Sequence, residues 1–155
     1  MQKKPVKEPF YAQGLRFSCI RCSACCRHES GYVFLSGKDT SLLGAALNLG
    51  YEELTQLYCR WVPTGDGTYQ LSLKEKSNFD CVFWKAEGGC MVYKTRPLQC
   101  QAFPFWSSVL TSRCSWKETG KNCPGMDRGT LISPKLIRNW LALRQKEPII
   151  LKGVS

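Results

Sequence analysis

Phe17-Ser18-Cys19-Ile20-Arg21-Cys22-Ser23-Ala24-Cys25-Cys26 places four cysteines within eight residues. Two-residue gaps let a tight turn aim successive sulfurs at one metal or cluster while backbone N–H groups point at the thiolates. The first three gaps match the opening of a bacterial ferredoxin run, C-x2-C-x2-C, whose remaining ligand is a Cys-Pro. Cys123-Pro124 could supply that ligand from a distance, one partition among several. The C-x3-C-x2-C spacing of radical chemistry is absent.

Further along lie Cys81, Cys90, Cys100 and Cys123, so eight cysteines are enough for two tetrathiolate sites. Cys59 closes an apolar helical stretch and reads as core. Cys114 sits in a polar loop with no motif partner and is left out of the ligand set. The N-terminus, Met1 to Gln13, has no apolar h-region, which argues against a secretory signal. Without export, thiols stay reduced, and ten of them in 155 residues point to metal rather than to disulfides. The expected location is therefore cytoplasmic. No apolar run approaches the roughly 20 residues of a membrane helix.

The chain is long enough for an ordinary core without cross-links. Its 43% hydrophobic and 22% charged residues exclude a disordered or low-complexity protein. The net charge is +10, carried by the two ends: residues 1–28 hold six basic and one acidic side chain, and residues 113–155 hold nine and three. Such ends fit a nucleic-acid or acidic-lipid footprint. Each zinc tetrathiolate would remove about two charges, however, bringing +10 to roughly +6 with two sites. No run of basic residues or RNA-binding aromatic motif accompanies the charge, so nucleic acid is a weakly supported partner.

Local patterns predict a small α+β domain with short strands, a few helices and irregular, cysteine-bearing metal-binding loops. Residues 1–16 read as a basic polar lead-in, 17–131 as the cysteine-cluster domain, and 132–147 as a C-terminal amphipathic helix packed on it. Tyr32 to Leu35 reads as a short strand. Asp39 reads as the N-cap of a helix through Leu47 that Gly50 ends, and Glu52 and Glu53 open a second helix with Leu54, Leu57 and Tyr58 on its apolar side. Gly65-Asp66-Gly67 is a turn before the alternating strand Tyr69-Gln70-Leu71-Ser72-Leu73. Cys81–Trp84 and Cys90–Tyr93 suit a hairpin, and Thr95–Cys100 a short helix ended by Pro104. Residues 107–131 read as irregular. Ser133-Pro134 reads as the N-cap and first position of a last helix.

Other chemistry finds little support. His28, the one histidine, lies two residues beyond Cys26 and reads as a polar loop residue beside a site more readily than as a ligand. There is no nucleophile elbow, phosphate loop or dinucleotide fingerprint. Tyr93-x2-Arg96-Pro97 reads equally as support behind the ligands, a guanidinium stabilising thiolates, and as a plain structural brace. Phe103, Phe105 and Trp106 read as core.

Taken in order, Phe17-x-Cys19-x2-Cys22-x2-Cys25-Cys26, Gly31-Tyr32-Val33, Cys81-Val82-Phe83-Trp84, Gly89-Cys90-x-Val92-Tyr93-x2-Arg96-Pro97-x2-Cys100-x2-Phe103-Pro104-Phe105-Trp106 and Cys123-Pro124-Gly125 resemble the bacterial and archaeal CxxCxxCC cysteine-cluster family, also called YkgJ-like. The resemblance runs from Phe17 to about Gly129. It implies a zinc- or iron-chelating domain, with Cys19, Cys22, Cys25, Cys26, Cys81, Cys90, Cys100 and Cys123 in the family's cysteine positions. It further implies an iron–sulfur cluster, a [4Fe–4S] centre among the options, or Zn²⁺. The expected role is redox or electron transfer with an unidentified protein or redox partner. If the protein is an enzyme, an iron–sulfur oxidoreductase or a metal-dependent protein-modifying activity would be the class. The alternative is a structural zinc module that binds a protein or nucleic acid.

Overall fold

The structure is a computed structural model and describes residues 5–153; Lys3 and Lys4 of the expected lead-in lie outside them. In chain order the elements are β1 Leu15–Phe17, α1 Gly37–Leu47, α2 Tyr51–Tyr58, β2 Cys59–Pro63, β3 Thr68–Leu73, β4 Trp84–Lys85 and β5 Gly89–Cys90. There follow α3 Leu98–Ala102, α4 Arg113–Gly120, β6 Met126–Ile132, α5 Pro134–Lys146 and β7 Leu151–Gly153. The class is mixed α+β with antiparallel pairing. Among the described residues no helix is long and apolar enough to cross a membrane.

The chain gathers into two compact units. The first joins the chain up to Cys22 with Pro104–Ala142; the second joins Ser23–Phe103 with the chain from Leu143 onward.

In the second unit, β2, β3 and β7 form an antiparallel sheet in which Cys59 faces Leu73 and Trp61 faces Leu71. Leu35, Leu43, Leu54, Leu71, Leu73 and Phe83 fill its core. Each of these leucines contributes about 1.5–3 kcal/mol by leaving water. Tyr32–Leu35 is less regular than the sequence suggests: Phe34 bridges Ser72 and Ser36 bridges Ile149, without a continuous ladder.

The cap of α1 is Ser36, not Asp39. The Ser36 hydroxyl accepts from the Asp39 N–H at 3.1 Å, and the Asp39 carboxylate accepts from the Ser36 N–H at 2.8 Å, a reciprocal capping box. The other Asp39 oxygen accepts from the Leu98 N–H at 2.9 Å, which ties the start of α1 to the start of α3. Gln99 fastens the same helix to the Tyr32–Phe34 segment, accepting from the Phe34 N–H at 2.9 Å and donating to the Tyr32 carbonyl at 2.7 Å. The cysteine-bearing helix α3 is thus held from two sides by polar contacts, the one from Asp39 buried.

In the first unit, β1 pairs antiparallel with β6, with a register shift between Arg16 and Phe17. Leu15, at the end of the expected lead-in, is buried there. Residues 107–131 are not irregular. Ser112 caps α4 by accepting from the Ser115 N–H, and Trp116 is fully buried, its indole N–H donating to Asp127 at 2.8 Å. Phe105 stacks on Trp116 at 6.0 Å and meets Phe17 edge-on at 5.9 Å. Ser133 caps α5, accepting from the Leu136 N–H, and Ile137 enters this core.

Candidate metal centre

Cys25 and Cys26 end a single 3-10 turn, Ala24–Cys26, which starts from Ser23 in the left-handed region at φ 66°. The tight turn brings their sulfurs to 3.9 Å. The Cys26 carbonyl then accepts from the Cys81 N–H at 2.7 Å, bringing the second cysteine stretch onto the first. Cys81 precedes the β4–β5 hairpin; Cys90 is on β5, opposite Trp84. Cys100 sits on α3, its N–H bonded to the Pro97 carbonyl at 2.9 Å.

Cys25, Cys26, Cys81, Cys90 and Cys100 are close enough to feel one another's charge. Cys26 is raised first by its hydrogen bond to Cys25 and by burial, then by the charges of Cys25, Cys100 and Cys81. Burial pushes the Cys100 thiol up, helped by Cys81, Cys25 and Cys90. Burial likewise raises Cys81 and Cys90. Cys25 goes the other way, lowered to about 7 chiefly by the hydrogen bond from Cys26 and further by Arg96. One thiol lowered among several raised ones is what crowded sulfurs adopt, because each negative charge opposes the next.

Backbone N–H groups are aimed at the sulfurs in a repeated pattern. The Arg21 N–H donates to the Cys19 sulfur at 3.4 Å. At Cys81 the backbone N–H of Phe83, and at Cys90 that of Val92, acts in the same sense, lowering the thiol against its burial. Every donor lies two residues beyond its cysteine. A sulfur is a weak acceptor as a thiol and a much better one as a thiolate, so the turns favour the ionised, ligating form.

Arg96 is the cation beside the group. It lowers Cys25, Cys90 and Cys100. Its guanidinium lies 3.9 Å over the Tyr93 ring, and its Nε is buried without a hydrogen-bond partner. A half-buried cation with an orphaned donor beside neutral thiols is poorly compensated; beside a metal–thiolate group of net charge −2 it is not.

The other candidates are placed differently. Cys19, Cys22 and Cys123 belong to the first unit, where Cys123 packs against the core and Cys19 and Cys22 are exposed. Gly125 explains its own motif. The Ser18 N–H donates to its carbonyl at 3.1 Å, and a Cβ there would stand 2.3 Å from the Ser18 carbonyl oxygen. His28 is exposed, with φ 77°. Cys59 is buried in the second core, its thiol pushed up to about 11 by desolvation, and Cys114 is exposed. Among the described residues no three His, Cys, Asp or Glu side chains stand in metal-holding geometry. The thiols are gathered rather than arranged into a shell. Their chemistry still fits a soft ion or cluster: all-sulfur donors, N–H groups on the sulfurs, and a cation for the resulting negative charge.

A family model described as "putative zinc- or iron-chelating domain", CxxCxxCC, matches residues 18–125. The chain belongs to the CxxCxxCC family. A curated relative, an uncharacterized protein of Methanocaldococcus jannaschii, is 29% identical over 114 residues, 73% of this chain and 58% of the relative. The match therefore spans little more than half the length of that relative. No solved structure matches it. Membership bears on zinc or iron chelation as a class; neither it nor the fold distinguishes the two metals. The sequence announces the cysteines and the Cys81–Trp84 block but not the pairing of Arg27 with Asp80, because nothing local links residues 53 positions apart.

Proposed function

We propose that the protein is a cysteine-chelated metal protein of the cytoplasm whose centre draws its ligands from Cys25, Cys26, Cys81, Cys90 and Cys100, and that the centre is an iron–sulfur cluster serving electron transfer or redox chemistry with a partner protein. The observation that carries this reading is the bond from the Cys81 N–H to the Cys26 carbonyl at 2.7 Å, which sets the Cys81 stretch against the Cys25–Cys26 pair, whose sulfurs stand 3.9 Å apart. What favours iron over zinc is the C-x2-C-x2-C run of Cys19, Cys22 and Cys25, of which Cys25 alone is among these five. Cys19, Cys22 and Cys123 are the remaining ligand candidates, in the family's cysteine positions.

A bound cluster would supply one-electron chemistry. The chain's own part is to ionise and hold the sulfurs. The backbone amides polarise them, and Arg96, stacked on Tyr93, offsets their charge. Five thiols for a four-sulfur centre leave one to spare, and Cys25 is the exposed member of the five.

The test is anaerobic purification without a metal-affinity column, followed by assay of iron, zinc and acid-labile sulfide with the visible spectrum. Brown protein with iron and sulfide at about four each per chain supports a [4Fe–4S] centre. Colourless protein with zinc supports a structural zinc module instead. One feature favours that second reading: residues 5–22 and 104–142 carry nine basic and three acidic side chains, a suitable footprint for a polyanion. Binding to RNA or DNA that weakens steeply with salt would support it; unchanged mobility at low salt would remove it.

A further inference from the structure

Arg27 follows Cys26 directly. Its guanidinium lies 3.8 Å over the Trp84 ring, and its Nε donates to the Asp80 carboxylate at 3.3 Å. Asp80 precedes Cys81 directly and is 4% exposed, and Arg27 is its cationic partner. The other Asp80 oxygen accepts from the Asn78 amide at 3.0 Å, and the Asp80 N–H returns a bond to Asn78 at 3.2 Å. Trp84 is fixed in turn, its N–H donating to the Cys81 carbonyl at 2.9 Å and its carbonyl accepting from Lys76 Nζ at 2.5 Å. Three side chains thus join the residue after one candidate ligand to the residue before another.

On the reading that these cysteines hold a metal centre, we propose that Arg27 is a positioning residue: bridging Trp84 and Asp80, its guanidinium fixes the spacing of the Cys26 and Cys81 sulfurs. The backbone bond from Cys81 to Cys26 sets how far apart the two segments lie, but leaves them free to twist about it. A planar cation stacked on an indole and bonded edge-on to a buried carboxylate removes that freedom, because displacing it would expose Asp80 without its partner. Arginine suits the role better than lysine, since only a planar fork both stacks and bonds. Groups of this kind, outside the ligand shell, typically change metal affinity by about 10- to 100-fold.

The test uses cobalt(II), a coloured probe of thiolate sites, added to the reduced, metal-free full chain under anaerobic conditions. Affinity comes from competition with a chelator, geometry from the visible bands, and stability of the metal-free chain from thermal unfolding. Arg27→Gln and Arg27→Lys are compared with Asp66→Asn, which disturbs a turn held by Thr64 and Thr68 and adjoins no cysteine. The expected result is that both Arg27 variants bind cobalt about 10- to 100-fold more weakly with shifted bands, while Asp66→Asn binds like the wild type. Arg27 variants within threefold of wild type, or losses that merely track thermal stability in all three variants, would overturn the inference while leaving the metal centre standing. A wild-type chain that takes up neither cobalt nor zinc would overturn the centre and this inference with it.

Discussion

The Cys81 N–H donates to the Cys26 carbonyl across 2.7 Å, a bond between residues 55 positions apart that sets Cys81 against the Cys25–Cys26 pair. From there β4 and β5 turn Cys90 back, and Cys100 follows on α3.

Cys59 and Cys114 separate core from ligand. Cys59→Ser puts a hydroxyl among Leu54, Leu71 and Phe83 and should cost about 1–3 kcal/mol in chemical unfolding, with metal content per folded chain unchanged. Cys114→Ser should alter stability by no more than about 0.5 kcal/mol and metal content not at all. Lost metal in either variant would mean that the ligand set is drawn wrongly.

Arg96→Gln should make metal binding more sensitive to acid. Metal binding displaces protons from thiols, so affinity rises with pH. Arg96 lowers Cys25, Cys90 and Cys100, and without it protons compete better. The pH at which half the metal is released should therefore move upward, with affinity at neutral pH down about tenfold; Arg96→Lys should recover part of it. An unmoved midpoint would count against Arg96 as the charge partner.

In the metal-free, reduced chain, Cys25 should be alkylated faster than Cys81, Cys90 or Cys100. Its thiol sits at about 7, so its reaction with iodoacetamide should rise through neutral pH and level off above it. The others are raised by burial and should lag. Peptide mapping after a short pulse reads the order directly, and metal should protect the four thiols that it takes.

Gly125→Ala should destabilise the first unit by about 1–3 kcal/mol, since the new methyl must push away the Ser18 backbone rather than a movable side chain. Thermal unfolding with a lower midpoint checks this. A neutral substitution would mean that the β1–β6 pairing yields more easily than its geometry implies.

Much of this was legible in the chain because it is local. Cysteine spacing, the acidic first turn of α2, the Gly65–Gly67 turn and the Ser133-Pro134 start of α5 all depend on neighbours a few positions away. The departures have physical causes. Asp39 looked like a cap, but Ser36 is better placed and leaves Asp39 to bond back and reach Leu98. Gly50 looked like a helix stop; Asn48 takes the left-handed position, and Gly50 opens α2. Leu57, expected on the apolar side of α2, is 57% exposed, because an eight-residue helix buries only Leu54 fully. Cys59 follows the end of α2 as expected and at once opens β2. Strands β6 and β7 exist through pairing with β1 and β3, segments more than eighty residues away that no local pattern announces. The polar α4 was hidden because one residue, Trp116, supplies its buried side. At the site, the ligand types were readable but their grouping was not. Which thiols share a neighbourhood depends on contacts such as Cys81 to Cys26, and the stacked arginines depend on them too.

The most direct measurement is X-ray absorption at the metal edge of the anaerobically purified chain. A thiolate centre predicts a first shell of sulfur alone, four scatterers at about 2.3 Å, with iron neighbours further out if the centre is a cluster. A shell dominated by nitrogen or oxygen, or a chain that carries no metal at the edge, would contradict the account.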